Sequence, residues 1–252
     1  MSRKEEIDCL NKVKKSLYNP TTSFLGDSKK VIGLLKAAQP NENETQFPDF
    51  VFPGGFIEHF QVTAAKETAK GSEHRINQAQ FDREQKERAR ILKEELEKIE
   101  PSNTIKIDTM KRVFDNFDYD LYKKSFQKNW EKHICSLNKY TGEKDIGIFL
   151  VEYSGALLKR MPKNEFKGFY RLIDDACLLN YIAEYANQIQ YVIFTDGQYH
   201  QIIESKNVCS VIQNIPEDIY FEKGRYIWVK PNIFIDITNI DGEFRLEKRL
   251  YE

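Results

Sequence analysis

Apolar residues recur at helical spacing over residues 2–17, where Ile7, Leu10, Val13 and Leu17 share one face and Asn19-Pro20 ends the run. Residues 28–38 repeat the pattern with Val31, Ile32, Leu34 and Leu35, predicting a second short helix. A polar linker, residues 39–46, follows, and then the period changes. Phe50-Val51-Phe52 and residues 56–63 are aromatic and β-branched runs on either side of Pro53-Gly54-Gly55, which predicts a β-hairpin. Residues 66–100 are heavily charged and helical in propensity, with Ile76, Phe81, Ile91, Leu92, Leu96 and Ile99 as their apolar positions. That composition reads as a solvated helix packed by one narrow stripe, or as a partner-binding coiled coil.

Residues 109–139 carry Phe114, Phe117, Leu121, Phe126, Trp130, Ile134 and Leu137, and predict a further helical region. The run DIGIFLVEY, residues 145–153, is continuously apolar in the manner of a strand covered on both faces. A long amphipathic helix is predicted over residues 164–187, and QYVIFTDG supplies another buried strand ending at Asp196-Gly197. The remainder holds the strand-like runs HQIIES, RYIWVK and NIFIDITNI and a final EFRLEKRL. Helices alternating with strands in this way predict an α/β fold with a central sheet covered by helices.

At 252 residues the chain is long enough for a sizeable core, and 17 Phe with 13 Tyr argue for a packed globule. Its 38 basic and 39 acidic residues nearly cancel, so nucleic acid would have to be met by a local patch rather than by a global field. Cys9, Cys135, Cys177 and Cys209 are far apart and form no CxxC pair, which suggests neither a zinc knuckle nor a disulfide framework and fits a reducing, cytoplasmic compartment. The first residues, MSRKEEIDCLNKVKK, lack the apolar run of a signal peptide, and no segment approaches the roughly 20 apolar residues of a membrane span.

Acidic, imidazole and amide groups gather in one place, FPDFVFPGGFIEHFQ. Asp49 opens the first hairpin strand and Glu58 lies in the second, so their carboxylates are expected to meet. Two such groups facing one cleft make an oxygen-rich site for Mg²⁺, which lowers the pKa of a bound water and neutralises phosphodiester charge. Strand alternation sets Glu58 with Phe60 on one face and His59 with Gln61 on the other. No P-loop, dinucleotide fingerprint or GxSxG elbow is present.

Pro48-Asp49 followed by Glu58-His59-Phe60-Gln61 resembles the signature of the PD-(D/E)xK restriction-endonuclease-like superfamily. The resemblance implies a restriction-endonuclease-like mixed sheet flanked by helices, with the whole chain as one nuclease-like domain carrying a helical insertion over residues 66–140. It implies Mg²⁺ or Mn²⁺ held by Asp49 and Glu58, and cleavage of nucleic acid, DNA favoured, in bacterial restriction, repair or anti-phage defence. The superfamily's Lys, two residues after the second acid, is replaced by Phe60. Either a bulge brings Gln61 beside Glu58, or His59 and Gln61 occupy the acid and Lys positions. His59 or Gln61 would then position the water.

Lys66, Lys70 and Arg75 are the nearest basic residues in sequence for backbone contact. Two lysines opening a charged helix, Lys66 and Lys70, are more often plain solvent contacts. Glu152 closes the buried strand either at the cleft or exposed at its end, Asp196 reads as a turn residue, and Glu42 and Glu44 as part of the linker. His74, His133 and His200 have no neighbour at metal-ligand spacing and read as surface or helix-face residues. The missing Lys also motivates a different class of function, a catalytically inactive module that keeps the fold to bind a protein partner, a second copy of itself or nucleic acid.

Overall fold

The computed structural model describes residues 3–43, 46–68, 71–96, 98, 104–114, 117–224 and 226–236. In chain order the elements begin with α1 (Arg3–Ser16), β1 (Thr22–Leu25), α2 (Ser28–Ala37), β2 (Gln39–Pro40), β3 (Phe50–Phe52) and β4 (Gly55–Thr63). The short strands β5 (Glu67–Thr68) and β6 (Gly71–Ser72) lead into α3 (Glu73–Leu96), β7 (Thr104–Phe114) and α4 (Tyr119–Lys139). Then come β8 (Ile146–Ser154), β9 (Leu157–Met161), β10 (Glu165–Phe169), α5 (Ala176–Glu184) and β11 (Tyr191–Thr195). The last are β12 (His200–Glu204), α6 (Val208–Ile212), β13 (Tyr220–Lys223) and β14 (Tyr226–Asp236).

The chain divides into two compact units, residues 1–73 with 115–225, and residues 74–114 with 226–252. The first is an α/β unit on a seven-stranded mixed sheet in the order β1-β12-β11-β8-β4-β3-β2. At its centre β4, β8 and β11 run parallel, joined through α4 and α5, while β3 and β4 form the antiparallel hairpin. Gly54 turns that hairpin at φ +83°, which a residue without Cβ adopts freely.

One face of the sheet is covered by α1 and α2, whose Leu10, Val13, Val31 and Leu35, with Leu17 just past α1, bury against Ile57, Ile148, Leu150, Ile193 and Ile202. On the other face α4 lays down Tyr122, Phe126, Trp130, Ile134 and Leu137, spaced to form one stripe. Its start is fixed by Asp118, whose side chain accepts from Leu121 N at 3.0 Å. Trp130 packs edge-on against Phe149 of β8 and Tyr181 of α5. With both faces covered, Ile148 to Val151 are fully buried, as their continuous apolar run predicts.

The second unit pairs β7 with β14 along their full lengths, Thr104 opposite Asp236 and Phe114 opposite Tyr226. Helix α3 is tied to this ribbon by Arg88 to Asp108, Arg112 to Glu84 and Lys230 to Asp82, with Phe81 buried beneath Arg112. Of its expected stripe, Ile76 and Ile91 are exposed.

Three expectations need correction. The segment 66–140 is not a helical insertion throughout: residues 104–114 are strand, paired with β14, and α4 packs on the central sheet with the first unit. Residues 164–187 are not one helix: β10 pairs back on β9, a turn of 3₁₀ helix follows, and only α5 is α-helical. The bulge near the turn does not form either, since β4 pairs with β8 from Gly55 opposite Ile146 to Thr63 opposite Ser154 without a shift. No helix among the described residues is long and apolar enough to cross a membrane.

Candidate functional site at the hairpin

Pairing between β3 and β4 stops at Phe50 opposite Ile57, and the next residues, Asp49 and Glu58, clasp each other's strands. The Asp49 backbone N–H donates to Glu58 Oε2 at 3.0 Å, and the His59 N–H donates to Asp49 Oδ2 at 2.7 Å. Each carboxylate thus takes the place of a backbone carbonyl where the ladder opens. The loop leading to Asp49 is itself held. Arg3 of α1 donates to the Asp49 and Asn41 carbonyls, and the Asn41 side chain donates to the Pro48 carbonyl.

Glu58 points to the α4 face, where His133 Nδ1 lies 2.6 Å from its Oε1. The His133 ring stacks on Phe60 with centroids 4.9 Å apart. Burial pushes the Glu58 carboxyl up to about 8, and burial with the neighbouring Glu58 charge raises Asp49 to about 6. Burial drives His133 the other way, to about 4, with Lys132 adding to the fall. At neutral pH the Glu58–His133 pair therefore holds its shared proton without net charge. In the loop that precedes Asp49, Asn41, Gln46 and Phe47 line a cavity of about 570 Å³ with Ser136, Lys139 and Tyr140 at the end of α4.

His59 and Gln61 stand on the opposite face, as strand alternation dictates, and share a different acid. Gln61 Nε2 donates to Glu152 Oε2 at 2.5 Å, and the same oxygen lies 3.3 Å from His59 Nε2. Gln61 is therefore not beside Glu58. The structure joins Asp49 with Glu58, sets the Gln61 and His59 side chains on the other face, and buries Phe60, two residues after Glu58, against Phe149 and Trp130.

Among the basic candidates, Lys66 is exposed just past β4. Lys70 and the Arg75 side chain lie outside the described residues, as do Glu44 and the His74 side chain. Asp196 is a turn residue, its Oδ1 accepting from the backbone of Gln198 and Tyr199. Glu42 is exposed, in keeping with a linker.

Sequence reasoning set aside His133 and His200 as surface or helix-face residues, and both are more enclosed than that. His200 is 3% exposed, inside β12. His133 falls on the same stripe of α4 as Phe126, Trp130 and Leu137, so its spacing from Trp130 was the available signal. Lys132, next to it, acts electrostatically on both Glu58 and His133. Compared with known proteins, the chain matches no family model, no curated protein and no solved structure.

Proposed function

We propose that the chain is a divalent-metal-dependent nuclease of the restriction-endonuclease-like superfamily, acting on nucleic acid, DNA favoured, in restriction, repair or anti-phage defence. The observation that carries this reading is the clasp of Asp49 and Glu58, two carboxylates from adjacent strands converging where the hairpin ladder opens. The order of helix, hairpin, helix and a buried strand parallel to β4 supports it.

The donors fit Mg²⁺ or Mn²⁺, which take hard oxygen ligands. Asp49 and Glu58 would hold the ion, and Asp49 Oδ1 carries no hydrogen bond among the described residues. Such an ion, when bound, acidifies a water and offsets charge on the phosphodiester. His133 keeps a neutral imidazole against Glu58 and orients its carboxyl; held well below Glu58 in basicity by its burial, it leaves the proton that Glu58 gives up on ionising to go to solvent. Phe60 holds that ring by stacking. Lys132 and the exposed Lys66 supply positive charge for phosphate oxygens.

Incubating the purified chain with plasmid DNA, single-stranded DNA and RNA, with Mg²⁺, Mn²⁺ or chelator, tests this. Metal-dependent cleavage that Asp49→Ala and Glu58→Ala each abolish is expected. One observation favours a second reading, an inactive nuclease-fold module: Phe60 stands buried where the superfamily places a Lys. Absence of cleavage and of divalent-ion binding, together with retained nucleic-acid or protein binding, would establish the module and overturn the nuclease.

A further inference from the structure

Cys9 of α1, His59 of β4 and Glu152 of β8 come together on the face of the sheet opposite Glu58, with one ligand atom from each lying within 4.8 Å of the others. His59 is 4% exposed, and among the described residues neither of its ring nitrogens has a hydrogen-bond partner. Glu152 Oε2 is 3.3 Å from Nε2, within ion-pair reach but off the line of a hydrogen bond. Leaving a buried polar group unsatisfied costs about 1–3 kcal/mol, and native structures seldom tolerate it unless a water, an ion or a functional role accounts for it.

We propose that Cys9, His59 and Glu152 bind a zinc ion. The donors are a thiolate, an imidazole and a carboxylate, a mixture that suits Zn²⁺ and not Mg²⁺ or Ca²⁺, which favour oxygen alone. The Gln61 amide, donating to Glu152 Oε2, orients the carboxylate as outer partners of metal ligands do. Ligand atoms around a tetrahedral zinc stand roughly 3.5 Å apart; His59 Nε2 and Glu152 Oε2 already meet that spacing at 3.3 Å, so binding needs at most a small inward shift of the remaining pairs. Glu152, whose side chain is 28% exposed while that of His59 is fully enclosed, is the ligand with room to rotate.

On binding, the Cys9 thiol loses its proton to the buffer and a sulfur–zinc bond forms. His59 contributes a nitrogen lone pair as neutral imidazole, and no electrons are transferred. Three protein ligands leave a fourth position for water or an incoming donor. The centre is distinct from the Asp49–Glu58 pair, since it lies across β4 and draws on softer donors. It also fastens α1 to two central strands.

The test uses the full chain, stripped with chelator and reloaded with Zn²⁺ or Co²⁺. One zinc per chain is expected by metal analysis, and cobalt should give a thiolate-to-metal charge-transfer band. Cys9→Ser should remove that band, and Cys9→Ser, His59→Ala and Glu152→Gln should each weaken zinc binding at least tenfold, whereas Asp49→Ala and Glu58→Ala should not. A chain that takes up no zinc, a cobalt spectrum without the thiolate band, or unchanged zinc affinity in folded Cys9→Ser or Glu152→Gln would overturn the site. If the buried substitutions unfold the chain by circular dichroism, Glu152→Gln decides, because its side chain is partly exposed and its replacement keeps the shape.

Discussion

Glu58 Oε1 and His133 Nδ1 meet at 2.6 Å across the boundary between β4 and α4, and the pair makes stability depend on pH in a defined way. Glu58 ionises near 8 in the folded chain against 4.5 ordinarily, so its contribution is full below about pH 4.5 and is lost as pH rises through 8. Asp49, raised from 3.8 to about 6, adds to that loss over its own interval. His133, lowered from 6.5 to about 4, runs oppositely, its contribution being full above 6.5 and lost as pH falls toward 4. Above pH 6.5 Glu58 alone remains. At about 1.4 kcal/mol per pH unit, the metal-free chain should lose on the order of 2 kcal/mol between pH 6.5 and 8. Urea midpoints with chelator present should show this loss for the wild type and little of it for Glu58→Gln, and equal losses would refute the pairing.

Because Asp49 and Glu58 hold protons well above the usual carboxylate range, a divalent ion at this site must displace them. Mg²⁺ or Mn²⁺ should therefore bind more weakly as pH falls, by roughly fivefold from pH 8 to pH 7 as the first proton competes. Calorimetry in buffers of different ionisation enthalpy should count about one proton released per ion at pH 7. Asp49→Asn and Glu58→Gln should abolish the heat. A pH-independent affinity would place the ion elsewhere.

Among the described residues the hydrogen bond of His133 goes to the Glu58 side chain, so its effect should appear in the rate and its pH profile before it appears in metal affinity. If the chain cleaves nucleic acid, His133→Gln should lower kcat about tenfold, the effect of losing the hydrogen bond that orients Glu58. Metal affinity should stay within a fewfold, and the acid limb of the rate profile should move. Unchanged kcat would reduce His133 to a packing residue.

The hairpin, the meeting of its two acids and the division of Glu58 from His59 and Gln61 were all legible, because alternation along a strand and a Pro-Gly-Gly turn are local properties. The partner of Glu58 was not, since a single His in a helix carries no sign of which strand it will face. Residues 104–114 hid their strand for a similar reason: the ribbon they form is completed by β14, near the far end of the chain. Over residues 164–187 the apolar spacing fits a helix, but pairing of Phe166 with Arg160 and Phe169 with Leu158 draws the first part into β10, leaving both phenylalanines exposed. Cys9 and Glu152 could not be joined to His59 without knowing that β8 lies beside β4 and that α1 crosses them.

Position 60, two residues after Glu58, where the proposed superfamily carries a lysine, offers a sharp check on that proposal. Phe60 is 3% exposed and lies between the rings of His133, Trp130 and Phe149, so a lysine there would lose aromatic contacts and bury an ammonium in an apolar setting. Large-to-small or polar changes at such a position cost about 3–5 kcal/mol. Phe60→Lys should accordingly lower the urea midpoint sharply without raising cleavage, while Phe60→Leu, which keeps the site apolar, should cost less. A Phe60→Lys protein that stays folded and cleaves faster would show instead that Glu58 and a cation two residues on share the cleft, and that His133 is only a lodger beside them.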